Sequence, residues 1–219
     1  MTDGGEIHGV MLLLTLASRE WVSPAVTIVS QREGDPFKVL VSCILSLRTQ
    51  DRTTGPASER LFALASDAAT LAKLTPEQVE RAIYPVGFYR TKATQLIAIA
   101  RRLRDDYGGR VPDEIDELLT FKGVGRKTAN LVVTLGYDKP GICVDTHVHR
   151  ICNRLGYVVT RTPEQTEMAL RTKLPPQYWI GINDLLVMFG QNLCHPVSPR
   201  CTICPIVRFC FRIGVEKSR

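Results

Sequence analysis

A glycine turn between two helical patterns constrains the fold of this chain more than any other feature. The turn is Lys122-Gly-Val-Gly125, within residues 118–154. Apolar residues recur at helical spacing before the turn, and a second helical pattern covers residues 126–135. Gly136 follows that pattern, at the position where glycine commonly ends a helix. The sequence therefore predicts two helices joined by a tight hairpin.

The hairpin has the composition of an anion site. Gly123 and Gly125 leave the backbone bare, so amide groups can approach a ligand closely. Unpaired amides and the helix dipole both favour an anion at a helix start, and Arg126 and Lys127 add positive charge there. A lone glycine turn is most often only a connection. The flanking helices favour a helix-hairpin-helix, which holds a DNA phosphate through backbone amides without reading sequence.

The segment closely resembles the helix-hairpin-helix DNA glycosylases, and within them the endonuclease III family. The resemblance extends over about residues 29–210 of the chain. That family removes damaged pyrimidines and nicks the DNA. The resemblance implies that Lys127 is the nucleophile and that Asp145, in Val144-Asp-Thr-His147, is its partner. Residues 127–136 rise roughly 14 Å as a helix, and residues 137–144 can span about 26 Å if extended. The connection is therefore long enough for Asp145 to return beside Lys127. We also expect Asp145 to cap its own helix.

The resemblance implies double-stranded DNA containing damaged bases or abasic sites as the partner. The predicted DNA-binding residues of the hairpin are Lys122, Gly123, Val124, Gly125 and Arg126. Family members fill the gap left by a flipped base from two further loops, which here hold Arg48 and Phe88. Alternatively, Phe88 is a core residue and Arg48 a simple phosphate contact. Lys122 stands where the family hairpin usually has proline, and Arg48 where bacterial members usually have glutamine.

Four cysteines in the C-terminal region form the second strong pattern: Cys194, Cys201, Cys204 and Cys210. Their spacing alone allows tetrahedral zinc or a cubane iron–sulfur cluster. The match to the endonuclease III cysteine pattern implies a [4Fe-4S] cluster. The other three of the seven cysteines lie in apolar stretches, which indicates buried thiols and a reducing compartment rather than a disulfide framework.

The chain shows no convincing alternating strand pattern, so the predicted fold class is all-α. The main predicted helices cover residues 7–21, 36–47, 57–65, 90–107, 163–173 and 177–193. Asp35 is the predicted cap of the helix at 36–47, which is apolar nearly all round and should therefore be central. Gly55-Pro56 is predicted to precede the helix at 57–65, and Asp113 is the predicted cap of the first hairpin helix. The resemblance implies two helical lobes with a DNA-binding groove between them. One is a six-helix lobe at 29–139 containing the helix-hairpin-helix. The other combines 1–28 with 140–219 and carries the iron–sulfur cluster loop at 194–210.

Composition agrees with a globular protein that meets a polyanion. The chain has 219 residues, 44% of them hydrophobic, and a net charge of +6. No apolar run is long enough to cross a membrane, and no basic segment precedes the apolar stretch at 10–17, so we expect no membrane and no signal peptide. The expected location is the cytoplasm, in association with the nucleoid, and the expected state is a monomer.

The resemblance implies a bifunctional base-excision DNA repair enzyme. It would release damaged bases, oxidised pyrimidines in the first place, and cleave the abasic site by β-elimination through a lysine Schiff base. One alternative is a monofunctional glycosylase acting on mismatched or alkylated bases, against which the presence of Lys127 argues. The other is a non-enzymatic DNA-binding module with structural zinc, against which the Lys127–Asp145 pair argues.

Overall fold

The computed structural model describes the backbone of residues 4–219, and side chains there except at 4, 5, 32 and 33. The described residues contain helices and no β-strand, which confirms the all-α class. The chain divides into two compact units, one formed by Ala25–Lys139 and the other by Pro140–Arg219 with the residues up to Pro24. The lobe boundaries and the groove expected from the sequence stay predictions.

Twelve α-helices are present in the described part of the chain. The unit Ala25–Lys139 contains α2 (Ala25–Glu33), α3 (Pro36–Ser46), α4 (Asp51–Leu64), α5 (Ala68–Leu71), α6 (Pro76–Ile83), α7 (Tyr89–Tyr107), α8 (Ile115–Leu119) and α9 (Arg126–Leu131). A π-helical turn, Val132–Gly136, continues α9. The other unit contains α1 (Gly4–Ala17), α10 (Thr146–Leu155), α11 (Pro163–Lys173) and α12 (Ile182–Asn192).

Helix α3 is the central element of its unit. Asp35 caps its first turn by accepting a hydrogen bond from the Phe37 amide at 2.8 Å, and Pro36 supplies a preset helical φ angle. The apolar side chains Val39, Leu40, Val41, Cys43, Ile44 and Leu45 are all at most 1% exposed. Helices α2, α4, α7 and α9 pack around α3. The predicted central helix is therefore confirmed, with its end at Ser46.

Two helices differ from the sequence prediction. Helix α2 was not predicted, because its surface mixes apolar and polar residues without a clear period. Helix α4 begins at Asp51 rather than at residue 57, and it contains Pro56. A proline this close to the helix start removes a single backbone hydrogen bond, and Gly55 before it is open to space. The glycine–proline pair was therefore wrongly taken as a helix boundary.

The hairpin region also needs two corrections. Asp113 does not cap α8, which has Glu114 at that position without a side-chain bond; Asp113 instead pairs with Lys139 at 2.8 Å. Gly136 is the last residue of the π-helical turn and not the residue after a helix end, and the left-handed residue near this end is Asp138, with φ 52°. Gly136 serves close packing, since a Cβ there would lie 3.0 Å from the Pro36 Cα at the start of α3.

The second unit has its own apolar core, made by α1, α10, α11 and α12. Leu14, Val148 and Leu170 have no exposed surface, and Tyr157 is also buried, with its hydroxyl donating to Lys173 O. The C-terminal region joins this core through Ile206, which is 2% exposed.

Within the described residues, no single helix is long and apolar enough to cross a membrane. The broken pair Glu6–Glu20 and Ala25–Gln31, taken together, meets the test for a membrane span by length and composition alone.

Replacing Leu40 by alanine tests the role of α3. The substitution leaves a cavity in the core, so we expect a loss of about 2–5 kcal/mol in the free energy of unfolding. The matched control is Leu64→Ala in α4, where 56% of the leucine is already exposed, and its effect should stay within about 0.5 kcal/mol. Denaturant unfolding followed by circular dichroism measures both, and equal losses would contradict a central α3.

Candidate functional site

The glycine hairpin presents its backbone and buries its apolar side chains. Phe121 and Val124 are 2% and 5% exposed, whereas Lys122, Gly123 and Gly125 are exposed. Gly123 adopts φ 81°, a left-handed conformation that disfavours other residues. Buried and exposed positions therefore interleave in the turn, with apolar side chains in the core and the glycines at the surface. The structure thus brings all the predicted hairpin residues together on one short segment.

Two side chains of α7 hold the hairpin from the side. Gln95 Nε2 donates to Lys122 O at 3.2 Å. Arg102 donates to Thr120 O at 2.8 Å, and its guanidinium lies 4.2 Å from the centre of the Phe121 ring. A planar guanidinium stacked on an aromatic ring restricts both groups. Sequence reasoning missed Gln95 and Arg102, because polar residues on a long amphipathic helix carry no motif.

Lys127 occupies the first turn of α9, half-buried beside α3. It lies close enough to Cys43 for its charge to act on that thiol. Burial raises the pKa of Cys43 to about 12, and the positive charge of Lys127 opposes this shift only in part. Cys43 is therefore an uncharged thiol at neutral pH, so it supplies neither a competing nucleophile nor a counter-ion. Lys127 itself is the residue that the sequence predicts as the nucleophile.

Asp145 is buried, with 8% exposure, and caps α10. Its Oδ1 accepts hydrogen bonds from the amides of His147 at 2.8 Å and Val148 at 3.0 Å. The predicted capping role is therefore confirmed. These two bonds fix the orientation of the carboxylate relative to the axis of α10.

The two histidines after Asp145 have structural partners. His147 Nδ1 lies 3.2 Å from Arg150 Nη2, and a Cβ on Gly190 would come within 2.2 Å of this Nδ1, so only glycine allows α12 to pack here. His149 Nδ1 lies 2.7 Å from the Thr166 hydroxyl. Both histidines are therefore held by contacts within their own unit.

Arg48 and Phe88 lie on two exposed turns of the unit Ala25–Lys139. Both adopt left-handed backbone conformations, with φ 52° and 58°. The guanidinium of Arg48 lies 5.5 Å from the centre of the Phe88 ring. Phe88 is 62% exposed, so the alternative that it is a core residue is wrong. The structure thus brings these two predicted residues together at the surface.

The four C-terminal cysteines line one small cavity between the C-terminal loop and the helices α10 and α12. Burial raises the pKa of the Cys204 thiol to about 11, and the thiols of Cys194, Cys210 and Cys201 add to the shift. Among the described residues, no three His, Cys, Asp or Glu side chains are placed to hold a single metal ion. All four thiols nevertheless line the same cavity, and four cysteine thiols are the donor set of an iron–sulfur cluster.

Two arginines of α10 tie that helix to the cysteine loop. Arg154 donates to His195 O and Pro196 O, each at 2.6 Å, and its Nη1 lies 3.6 Å from Cys194 Sγ. Arg150 donates to Cys194 O at 2.8 Å, and its Nε is buried without a hydrogen-bond partner. Buried positive charge is costly without a counter-charge, so these arginines fit a loop whose thiols become anionic on metal binding. Sequence reasoning missed both residues.

Comparison with known proteins identifies the family to which this chain belongs. A model described as HhH-GPD superfamily base excision DNA repair protein matches residues 41–176, more than half of the chain. The endonuclease III of Thermotoga maritima is 49% identical over 181 residues, which are 83% of this chain and 85% of that protein. The endonuclease III of Bacillus subtilis is 34% identical over 187 residues, 85% of each chain. The chain belongs to the endonuclease III family.

A solved structure supports the assignment through the fold. The structure of a non-covalent Endonuclease III-DNA complex covers 97% of both chains with a TM-score of 0.85 and 29% identity. The family resemblance inferred from the sequence is therefore confirmed. So is the function at family level: the protein is a DNA glycosylase and abasic-site lyase of base excision repair, rather than the monofunctional alternative.

In this endonuclease III family member, the residues predicted for the site occur in both units. The unit Ala25–Lys139 carries the hairpin with Lys127, and also Arg48 and Phe88. The other unit carries Asp145 and the four cysteines. The roles assigned to the individual site residues from the sequence stay predictions.

Two substitutions at Asp145 separate its capping role from its charge. Asparagine caps a helix as well as aspartate does, whereas alanine loses about 0.5–2 kcal/mol. We therefore expect Asp145→Ala to lower the melting temperature and Asp145→Asn to leave it nearly unchanged. Thermal unfolding of both variants in parallel checks this, and equal destabilisation would show that the hydrogen bonds to His147 and Val148 contribute little.

Proposed function

We propose that this protein removes oxidised pyrimidines from double-stranded DNA and then cleaves the abasic strand through a Schiff base on Lys127. The observation that carries the proposal is the position of Lys127, in the first turn of α9 directly after the exposed glycine hairpin. A backbone segment suited to a phosphate thus lies next to a nucleophilic amine in the chain. Membership of the endonuclease III family supports the same assignment.

The chemistry begins once the damaged nucleotide has left the base stack, because its C1′ atom is otherwise out of reach. The uncharged Lys127 amine attacks C1′, a C–N bond forms, and the bond to the base breaks, so the base leaves with the electron pair and takes up a proton. Loss of the amine proton and opening of the sugar ring give a Schiff base. Removal of a C2′ proton then expels the 3′ phosphate, which is the β-elimination step.

Asp145 supplies the carboxylate of the proposed mechanism. In the proposal it stabilises the cationic sugar and accepts the proton from the Lys127 amine. Its two amide hydrogen bonds hold Oδ1 without neutralising the charge. Replacement by asparagine keeps these bonds and removes the charge, so the two roles of the residue can be tested apart.

DNA binding in the proposal uses two surfaces of the unit Ala25–Lys139. The hairpin, with Lys122, Gly123, Val124, Gly125 and Arg126, holds a phosphate and gives position without sequence readout. Lys122 adds a cation where the family usually has proline. Arg48 and Phe88 fill the space left by the flipped nucleotide, because an aromatic ring and a guanidinium both stack on bases. A net charge of +6 supports association with the polyanion.

We further propose that Cys194, Cys201, Cys204 and Cys210 hold a [4Fe-4S] cluster. The fit rests on four thiols lining one cavity and on the arginines beside them. When bound, the cluster supplies metal–sulfur bonds that fix the loop, whose described segments are only short 3₁₀ turns. Because the Cys204 and Cys210 thiols have raised pKa values, loading releases protons and weakens as pH falls.

We propose that the protein acts as a monomer on nucleoid DNA in the cytoplasm.

Borohydride trapping tests the nucleophile. Incubation with a duplex containing one oxidised pyrimidine or one abasic site, followed by reduction, should give a covalent protein–DNA adduct that peptide mapping places on Lys127. Lys127→Gln should give no adduct, because the amide cannot form a Schiff base. The matched control Lys73→Gln changes an exposed lysine of the same unit and should trap as the wild type does. An adduct persisting in Lys127→Gln would remove this residue from the role.

Metal analysis tests the cluster. Protein purified without oxygen should be brown and contain about four irons and four sulfides per chain. Cys204→Ser should lower the iron content and visible absorption, whereas Cys152→Ser, a buried cysteine of the same unit, should keep both. Stoichiometric zinc with no iron would replace the cluster by a structural zinc site.

A further inference from the structure

A buried lysine joins two loops of the unit Ala25–Lys139. Lys92 lies in the first turn of α7 and is only 5% exposed. Lysine is almost never this buried unless its ammonium group is matched by acceptors. The hairpin and the Lys127 chemistry make no use of it. We define the first loop as residues 47–50, which join α3 to α4, and the second loop as residues 84–88, which join α6 to α7.

The Lys92 ammonium group donates to three oxygens near the end of α3. Its Nζ lies 2.9 Å from Leu45 O, 2.5 Å from Leu47 O and 3.2 Å from the Thr49 hydroxyl. A helix leaves its last carbonyls without helical partners, and its C-terminus favours a cation. Lys92 therefore completes the end of α3 and fixes the first loop. Burial lowers the pKa of Lys92 to about 8, as expected for a cation removed from water.

Thr49 extends this network to the second loop. Its hydroxyl donates to Leu47 O at 3.2 Å and accepts from the Gly87 amide at 3.1 Å as well as from Lys92. One donor and two acceptor positions of the hydroxyl are thus all used. A Cβ on Gly87 would lie 2.6 Å from Arg48 O, so the two loops touch backbone to backbone. Lys92 and Thr49 together hold the two loops as one piece.

Each of the two loops carries a non-glycine residue with a left-handed backbone conformation. Arg48 and Phe88 are exposed, and both have left-handed φ angles that non-glycine residues adopt only when the surroundings impose them. Arg48 lies between Leu47 and Thr49, both bonded to Lys92, and Phe88 immediately follows Gly87. The hydrogen bonds of Lys92 and Thr49 supply that constraint.

We propose that Lys92 is a positioning residue that sets Arg48 and Phe88 as a single rigid wedge for the DNA duplex. The inference rests on the proposed function, in which these two side chains fill the space left by the flipped nucleotide. Lys92 acts on base extrusion through the two loops and does not touch the reacting atoms. It should therefore matter for a substrate whose base must leave the stack, and much less for one whose base is already gone.

Lys92→Met keeps the length of the side chain and removes its donors. Single-turnover excision of one oxidised pyrimidine in a paired duplex should fall about tenfold or more, because a displaced wedge acts on a step that depends on geometry. Borohydride trapping on a preformed abasic site should change by less than about threefold, since no base remains to be extruded. Lys73→Met is the matched control and should alter neither rate. Thr49→Val, which removes only the bridging hydroxyl, should give the same pattern if Lys92→Met does not fold.

A structural role alone predicts a different result. Equal losses in excision and trapping, together with a lower melting temperature, would reduce Lys92 to a stability residue, and no loss in either assay would also overturn the proposal. A fluorescent base analogue opposite the lesion adds a direct readout: its fluorescence increase on protein binding should be smaller with Lys92→Met than with the wild type.

Arg48→Ala and Phe88→Ala separate this inference from the function on which it rests. If both variants excise at the wild-type rate while trapping through Lys127 persists, the wedge assignment fails and the role of Lys92 fails with it. If both reduce excision and neither Lys92→Met nor Thr49→Val does, the wedge stands and only the positioning role is overturned. Reduced excision in all four variants, with trapping retained, supports the proposal.

Discussion

The burial of α3 is the constraint on which the rest of its unit depends. Its apolar surface is enclosed by α2, α4, α7 and α9, so their packing is fixed against one rigid rod. Each part of α3 meets a different functional element. The start, at Pro36, packs against Gly136. The middle, at Cys43, lies beside Lys127. The end, at Leu45, receives Lys92. A change in the core would therefore move Lys127 and the two exposed loops together.

The exposed loops show how local strain is held in place. Each non-glycine residue in a left-handed conformation costs on the order of 1–3 kcal/mol. A surface loop would relax from two such residues unless other interactions forbade it. The Lys92 hydrogen bonds and the contact between Gly87 and Arg48 supply that restriction. A buried cation in a low-dielectric setting binds its acceptors strongly, because no water competes for them. The rigidity of the two exposed loops thus derives from the hydrogen bonds of the buried Lys92 side chain.

Local patterns in the sequence predicted those features that depend on neighbouring residues. The caps of α3 and α10 were predicted from Asp35 and Asp145, and the buried α3 from a continuous apolar run. Features that depend on distant residues were missed. Gly136 was taken as a helix end, although its role is contact with Pro36, a hundred positions earlier in the chain. Lys92, Arg150 and Arg154 read as ordinary helical cations until folding shows which carbonyls they meet.

The cysteine loop depends on two arginines of α10, which the sequence did not single out, as well as on its cysteine motif. Four thiolates gathered in one cavity repel one another, and burial already raises the pKa of the Cys204 thiol. A metal cluster bound by these cysteines would remove the thiol protons and leave a net anionic group that is partly buried. Arg150 and Arg154 lie on successive turns of α10, hydrogen-bonded to the loop backbone, and so supply positive charge whether or not the cluster is bound. The same α10 begins with Asp145 as its cap. The first turn of α10 therefore orients a carboxylate, and its later turns hold the cysteine loop through hydrogen bonds from Arg150 and Arg154.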